Sequence, residues 1–152
     1  MLEAEDTGLP DGAPLAQLLR RQGALFRLAA QGEALETVVE ELALTCEAAL
    51  RPARCAVHLL DPVSANLRQV AAPGLPAGLR ASLGEIPIDS LDYPFAMAVC
   101  RDKLVAAEDL GQDRRWQALA RLVGPEGLVA CWAHPIRDAK GCLLYTSDAA
   151  DE

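Results

Sequence analysis

Aromatic side chains are scarce: two Trp, two Tyr and two Phe among 152 residues. A core with so few rings must be filled mainly by Leu, Val and Ala, and each ring that is present becomes conspicuous. Long apolar runs are missing, and none approaches the ~20 residues a membrane-spanning helix needs. Clustered positive charge is also missing. Basic residues occur singly or in pairs such as Arg20-Arg21 and Arg114-Arg115, and the formal net charge is −8. A polyphosphate backbone would be repelled, so nucleic acid is not an expected partner. No C-x-x-C, Walker, Rossmann or H-E-x-x-H pattern occurs, which leaves no motif for a structural zinc, a nucleotide cradle or a zinc protease. The five cysteines, Cys46, Cys55, Cys100, Cys131 and Cys142, are odd in number. They read as reduced, mostly buried thiols. The acidic start Met1-Leu-Glu-Ala-Glu-Asp6 is unlike a basic signal peptide, so a cytoplasmic location is expected.

Half of the chain, 51%, is hydrophobic, enough for one domain with a modest core. Residues 1–14 hold acids, Gly and two Pro and read as a flexible lead. Leu15, Leu18, Leu19, Leu25, Phe26 and Ala29 form a helical stripe over 15–31. Two readings stay open for it: an amphipathic helix lying on its own domain, or a linker helix (15–32) that dimerises. After Gly32 a second helix is expected over 33–50, with Leu35, Val38, Val39, Leu42 and Cys46 on one face. Its early acids Glu33, Glu36 and Glu40 suit the helix dipole, and Pro52 ends it.

Arg54 to Leu60 reads as a strand that is apolar on both faces. Cys55, Val57 and Leu59 point one way; Ala56, His58 and Leu60 point the other. Such a strand belongs in mid-sheet with a layer on each side. The 61–66 turn returns the chain as a strand over 67–72, making a hairpin. A short helix is expected at 77–83, an edge strand at 85–88 because of Pro87, and a helix at 94–101 with Pro94 near its start. A strand over 103–107 follows. Asp113 caps a helix from Arg114 to about Val123 that Gly124-Pro125 stops. The last long strand runs over 128–136. Helices and strands mixed around an early hairpin predict an α+β domain with an antiparallel sheet.

Several stretches carry a resemblance: Arg54-Cys-Ala-Val-His-Leu-Leu-Asp61, Pro73-Gly-Leu-Pro76 with Leu79-Arg80, Val105 to Asp109, Asp113-Arg-Arg-Trp116, and Gly127 to Ile136. Together with the element order they resemble the GAF domain over about residues 33–141. The Cys131-Trp132 before Pro135-Ile136 is similar to GAF domains of bacterial sensor proteins, which precede cyclic di-GMP synthase or phosphodiesterase domains, or histidine kinases. The resemblance implies a regulatory sensory module that catalyses nothing itself. It would bind a small molecule or respond to redox state, pair as a homodimer through its N-terminal helices, and signal to an output domain in cis. It names neither ligand nor cofactor, and the Asn-Lys motif of cyclic-nucleotide-binding members is absent. The stretch Asp89-Ser-Leu-Asp-Tyr-Pro-Phe-Ala96 also departs from the Gly-rich, Cys-bearing segment common in such domains.

Residues 142–152 resemble a translated sequencing adapter. On that reading native sequence stops near Gly141, before the return strand that this fold places beside its first strand. Leu-Leu-Tyr-Thr146 would then pair there by its strand propensity alone. Removing Asp148, Asp151 and Glu152 with the tail changes the net charge from −8 to −5 and leaves the acidity argument standing.

The candidate pocket residues are His58, Tyr93, Phe95, Met97, Trp116, Cys131 and Trp132. The plain reading makes them core; the functional reading makes them the lining of a small-molecule pocket. Cys131 and His134 stand three apart on a strand, on opposite faces, so they do not share a metal. Cys100, beside Arg101 and Lys103, is the redox candidate. It opens an alternative in the manner of free methionine sulfoxide reductases, GAF-fold thiol enzymes, although their Gly-Cys-Gly type loop is replaced here. A third alternative is a dimerisation module without ligand. Glu108 and Asp109 have nothing that marks them as a catalytic pair.

Overall fold

A computed structural model describes residues 13–137 and 143–151. The lead before residue 13, residues 138–142 and residue 152 fall outside the described residues. Two helices come first, α1 (Ala13–Ala30) and α2 (Leu35–Ala49). Gly32, at φ +72°, supplies the left-handed residue that lets the chain reverse between them. The pair packs as a helical hairpin, and α2 lies on the sheet.

The sheet has six strands. They are β1 (Arg54–Asp61), β2 (Asn66–Ala71), β3 (Glu85–Pro87), β4 (Val105–Ala107), β5 (Leu128–Arg137) and β6 (Leu143–Asp151). All pairings are antiparallel, in the order β3-β2-β1-β6-β5-β4. The Pro87 strand is indeed at an edge, where a missing N–H costs nothing. The strand beside β1 in mid-sheet is β6, whose register runs from Leu59↔Leu144 to Arg54↔Ala149 on one side and along β5 on the other.

Helices α3 (Ala77–Ser82), α4 (Pro94–Arg101) and α5 (Gln117–Val123) lie on the side of the sheet away from α2. Asp113 caps as expected, its Oδ1 accepting from the Arg115 N–H at 2.9 Å. The turn it starts is a 3₁₀ turn at Arg114–Trp116 that passes into α5. Asp61 ties its turn in the same manner, accepting from the Val63 N–H and the Ser64 hydroxyl, both at 2.9 Å.

Two cores result. The larger lies between the sheet and α3–α5 and includes Ala56, Leu67, Phe95, Met97, Trp116 and Cys131. The smaller lies under α2 and holds Val39, Ala43, Cys55, Val57 and Ala71. The alternation of β1 divides its side chains between them as its sequence predicts. No helix among the described residues is long and apolar enough to cross a membrane.

Candidate functional site

His58 is fully buried on the α4 side of β1, in a strand whose neighbours are apolar. Its Nε2 lies 3.0 Å from the Leu83 carbonyl oxygen. A carbonyl only accepts, so Nε2 carries the proton and Nδ1 is a bare acceptor. That Nδ1 is buried without a hydrogen-bond partner, and so is Nε2 of Gln69. Gln69 faces His58 directly across the β1–β2 ladder. An unused acceptor and an unused donor therefore share one face of the sheet, at adjacent strands. Burial pushes the His58 pKa below its ordinary value of 6.5, outweighing the opposing pull of the Leu83 carbonyl.

Phe95 covers the histidine. Position 94 is proline, preorganised for the first turn of α4, so the helix delivers Phe95 inward at its second residue. The two rings stack at 5.2 Å between centroids and 8° between planes. Tyr93 also meets Phe95, at 5.2 Å between centroids but tilted by 31°. Beside this stack lies a small, mainly apolar pocket of about 30 Å³, lined by Arg54, Ala56, Leu75, Leu83, Phe95 and Cys131 among others. The space holds about one water, whereas small-molecule sites run to about 300 Å³ and more.

The sequence candidates separate accordingly. His58, Tyr93 and Phe95 form one stack, and Phe95 and Cys131 border the void. Met97 and Trp116 belong to the same core, with the Arg115 guanidinium 4.9 Å from the Trp116 ring centre. Trp132 departs from the expected group. It is 45% exposed, while its neighbours Cys131 and Ala133 are buried. Adjacent strand residues point to opposite faces, so Trp132 cannot join Cys131 in one pocket.

Cys100 stands in the last turn of α4 and is exposed. Its thiol donates to the Ile88 carbonyl at 3.1 Å. A helix C-terminus surrounds a sulfur with carbonyl oxygens instead of amides, the opposite of the setting that activates a nucleophile. No grouping of three or more His, Cys, Asp or Glu suited to a metal occurs among the described residues.

Two residues escaped the sequence reading. Gln69 is one. The other is Glu47 of α2, whose Oε1 accepts from the Cys55 N–H at 2.9 Å and the Gly74 N–H at 3.1 Å. One carboxylate oxygen thus binds α2 to the start of β1 and to the loop after β2. Gly74 allows the approach: a Cβ there would collide with that oxygen. No local pattern announces a contact between residues 8 and 27 positions apart.

Comparison with known proteins agrees with the fold. The family model described as GAF domain matches residues 32–144. The GAF domain of a phosphoenolpyruvate-protein phosphotransferase from Coxiella burnetii is similar at TM-score 0.70 and 15% identity, over 90% of this chain and 79% of that one. The corresponding domain from Acinetobacter gives 0.65 and 13%, over 89% and 77%. The free methionine-R-sulfoxide reductase of Neisseria meningitidis gives 0.67 and 14%, over 88% and 70%. At such identities the likeness is one of fold. No curated protein matches the sequence.

Proposed function

We propose, from the premise that this chain belongs to the GAF domain family, that it is a regulatory sensory module without catalytic activity. It reads the state of the niche beneath its sheet and passes that state to α1 and α2, and through them to an output domain in cis. One observation carries the reading. Strand β1 contributes Ala56 to the niche-side core and Cys55 and Val57 to the α2-side core, and Glu47 clasps α2 to that same strand. A displacement of β1 is felt in both layers.

The stimulus acts on the His58–Phe95 stack. A small molecule entering there must displace Phe95, because the void is only about 30 Å³. The displacement is itself the signal, since it separates the occupied from the empty state. The ligand brings a flat apolar body and a polar tip that donates to Nδ1 of His58 and accepts from Nε2 of Gln69. The module acts as a homodimer through α1, where Leu15, Leu19 and Phe26 are 63%, 59% and 68% exposed at 4- and 7-residue spacing.

The test is a double-mutant cycle between Phe95→Leu and Glu47→Gln, with stability measured by denaturant unfolding. Their side chains lie in different layers, so independent sites would add. The module reading expects an interaction of about 0.5–1 kcal/mol. Strict additivity would overturn it.

The adapter reading of 142–152 is also proposed. It rests on the residues Cys142 to Glu152 themselves. Reading the gene across codon 141 tests it.

A further inference from the structure

The pocket beside the His58–Phe95 stack has one charged side chain in its lining, Arg54. Every other residue that borders it is apolar or, at Cys131, a thiol. Strand alternation explains the placement. Cys55 belongs to the α2-side core and Ala56 to the niche-side core, so Arg54, Ala56 and His58 share the niche face of β1. Arg54 is exposed, Ala56 is buried and His58 is fully buried. That row runs from water into a dry interior, with a guanidinium at its outer end, a methyl group in the middle and an imidazole at its inner end. Cys131 lies level with Arg54 across the sheet, since both pair with Ala149 of β6.

Unpaired cations are common in this chain. Among the described residues only Arg115 and Arg137 form ion pairs. Arg54 differs from the other unpaired cations in its place, because it alone borders the niche. At the inner end, Leu83 and Phe95 border the pocket and also hold His58, one through its carbonyl at 3.0 Å and the other through its ring. Behind them lie Nδ1 of His58 and Nε2 of Gln69, two buried polar atoms without a partner. One hydroxyl satisfies both: its O–H donates to Nδ1 and its oxygen accepts from Nε2.

Distance sets the length of an occupant. Four strand residues put the Cα atoms of Arg54 and His58 about 13 Å apart. Both side chains stand off the same face, and a hydrogen bond of about 3 Å at each end leaves roughly 7 Å between the occupant's polar atoms. One benzene ring with polar groups at its para positions has that length. The ring also supplies the flat body that takes the place of Phe95 against the imidazole. Charge sets the anion. A single guanidinium meets a single negative charge in two-point contact, so a carboxylate suits it better than a dianionic phosphate.

We infer that the niche binds a para-hydroxyaryl carboxylate, with the hydroxyl on His58 and Gln69 and the carboxylate on Arg54 at the rim. Occupancy rests on the ligand reading above, in which Phe95 gives way; the carboxylate on Arg54 goes beyond it.

4-Hydroxybenzoate is the probe, with 4-hydroxybenzamide as its uncharged counterpart and benzoate as the form without the hydroxyl. Titrated into the full chain, 4-hydroxybenzoate should give saturable amide shifts at Arg54, His58 and Phe95. Phe95→Ala opens the pocket in advance and should tighten its binding. Arg54→Gln, at an exposed position, should weaken 4-hydroxybenzoate about tenfold and leave 4-hydroxybenzamide within about twofold. Equal binding of the acid and the amide, with Arg54→Gln weakening neither, would overturn the carboxylate assignment while the niche remained a ligand site. Benzoate binding as tightly as 4-hydroxybenzoate would overturn the hydroxyl's place on His58 and Gln69. Should no probe bind either the wild type or Phe95→Ala, the ligand reading of the niche falls, and the aryl carboxylate with it.

Discussion

At the scale of single residues, His58 sets a pH dependence. Its pKa is lowered in the folded protein, so the unfolded chain takes up a proton first as the pH falls. The stability it confers is complete above the unfolded value near 6.5 and declines as the pH drops from there toward the lowered folded value. Denaturant midpoints measured from pH 7.5 to 5 should show this decline, and His58→Phe, which keeps a ring against Phe95, should flatten it. The Glu47 clasp has its own signature. Glu47→Ala strands two backbone N–H groups and should cost about 2–4 kcal/mol by denaturant unfolding. Gly74→Ala places a methyl against the same carboxylate and should cost about 1–3 kcal/mol. Because both substitutions disturb one contact, their combined cost should fall short of the sum. Cys100→Ser should alter stability by less than about 0.5 kcal/mol. A sulfoxide-reduction assay should find no turnover that depends on that thiol.

At the scale of elements, much was legible and the reasons are specific. Cys55, Val57, Ala56 and His58 declared a two-faced strand because alternation is fixed by strand geometry. Pro87 declared an edge, and Pro94 and Asp113 declared helix starts, because each acts on its own backbone. Boundaries moved by one or two residues: α2 begins at Leu35, two residues after the expected Glu33, and β4 begins at Val105 instead of Lys103. The niche was legible only in part. Which rings enter the core follows from local pattern, but whether they leave room does not, since closure is set by helices meeting the sheet from distant sequence. Trp132 was misplaced although strand alternation already separated it from Cys131. Gln69 and Glu47 stayed hidden because their significance lies in partners that only folding supplies. The sheet also predicts its own weak point. Strand β6 is the sole neighbour of β1 on one side and of β5 on one side. Thr146 pairs with both Val57 and His134. Thr146→Pro removes a donor from that central ladder and should cost about 3 kcal/mol or more, read as a lower unfolding midpoint.

At the scale of the whole molecule, the chain is a helical hairpin laid on a sheet that is covered on its other side by short helices. The exposed stripe of α1 is the largest apolar feature left to water on the first two helices, with Leu19 and Phe26 at its centre. Leu19→Glu with Phe26→Glu should convert a concentration-dependent dimer into a monomer in sedimentation velocity, with the fold unchanged. A wild-type chain that stays monomeric at high concentration would refute the dimer and leave the niche as a property of one copy.

The two tryptophans divide the molecule in a way that outlasts any particular ligand. Trp116 is 2% exposed and Trp132 is 45% exposed. One indole emits from a dry interior and the other from a wet face, so a single fluorescence spectrum carries two signals. Acrylamide should silence the red component and spare the blue one. Any stimulus that loosens the layer of short helices will then betray itself as a newly quenchable blue fraction, with no label attached.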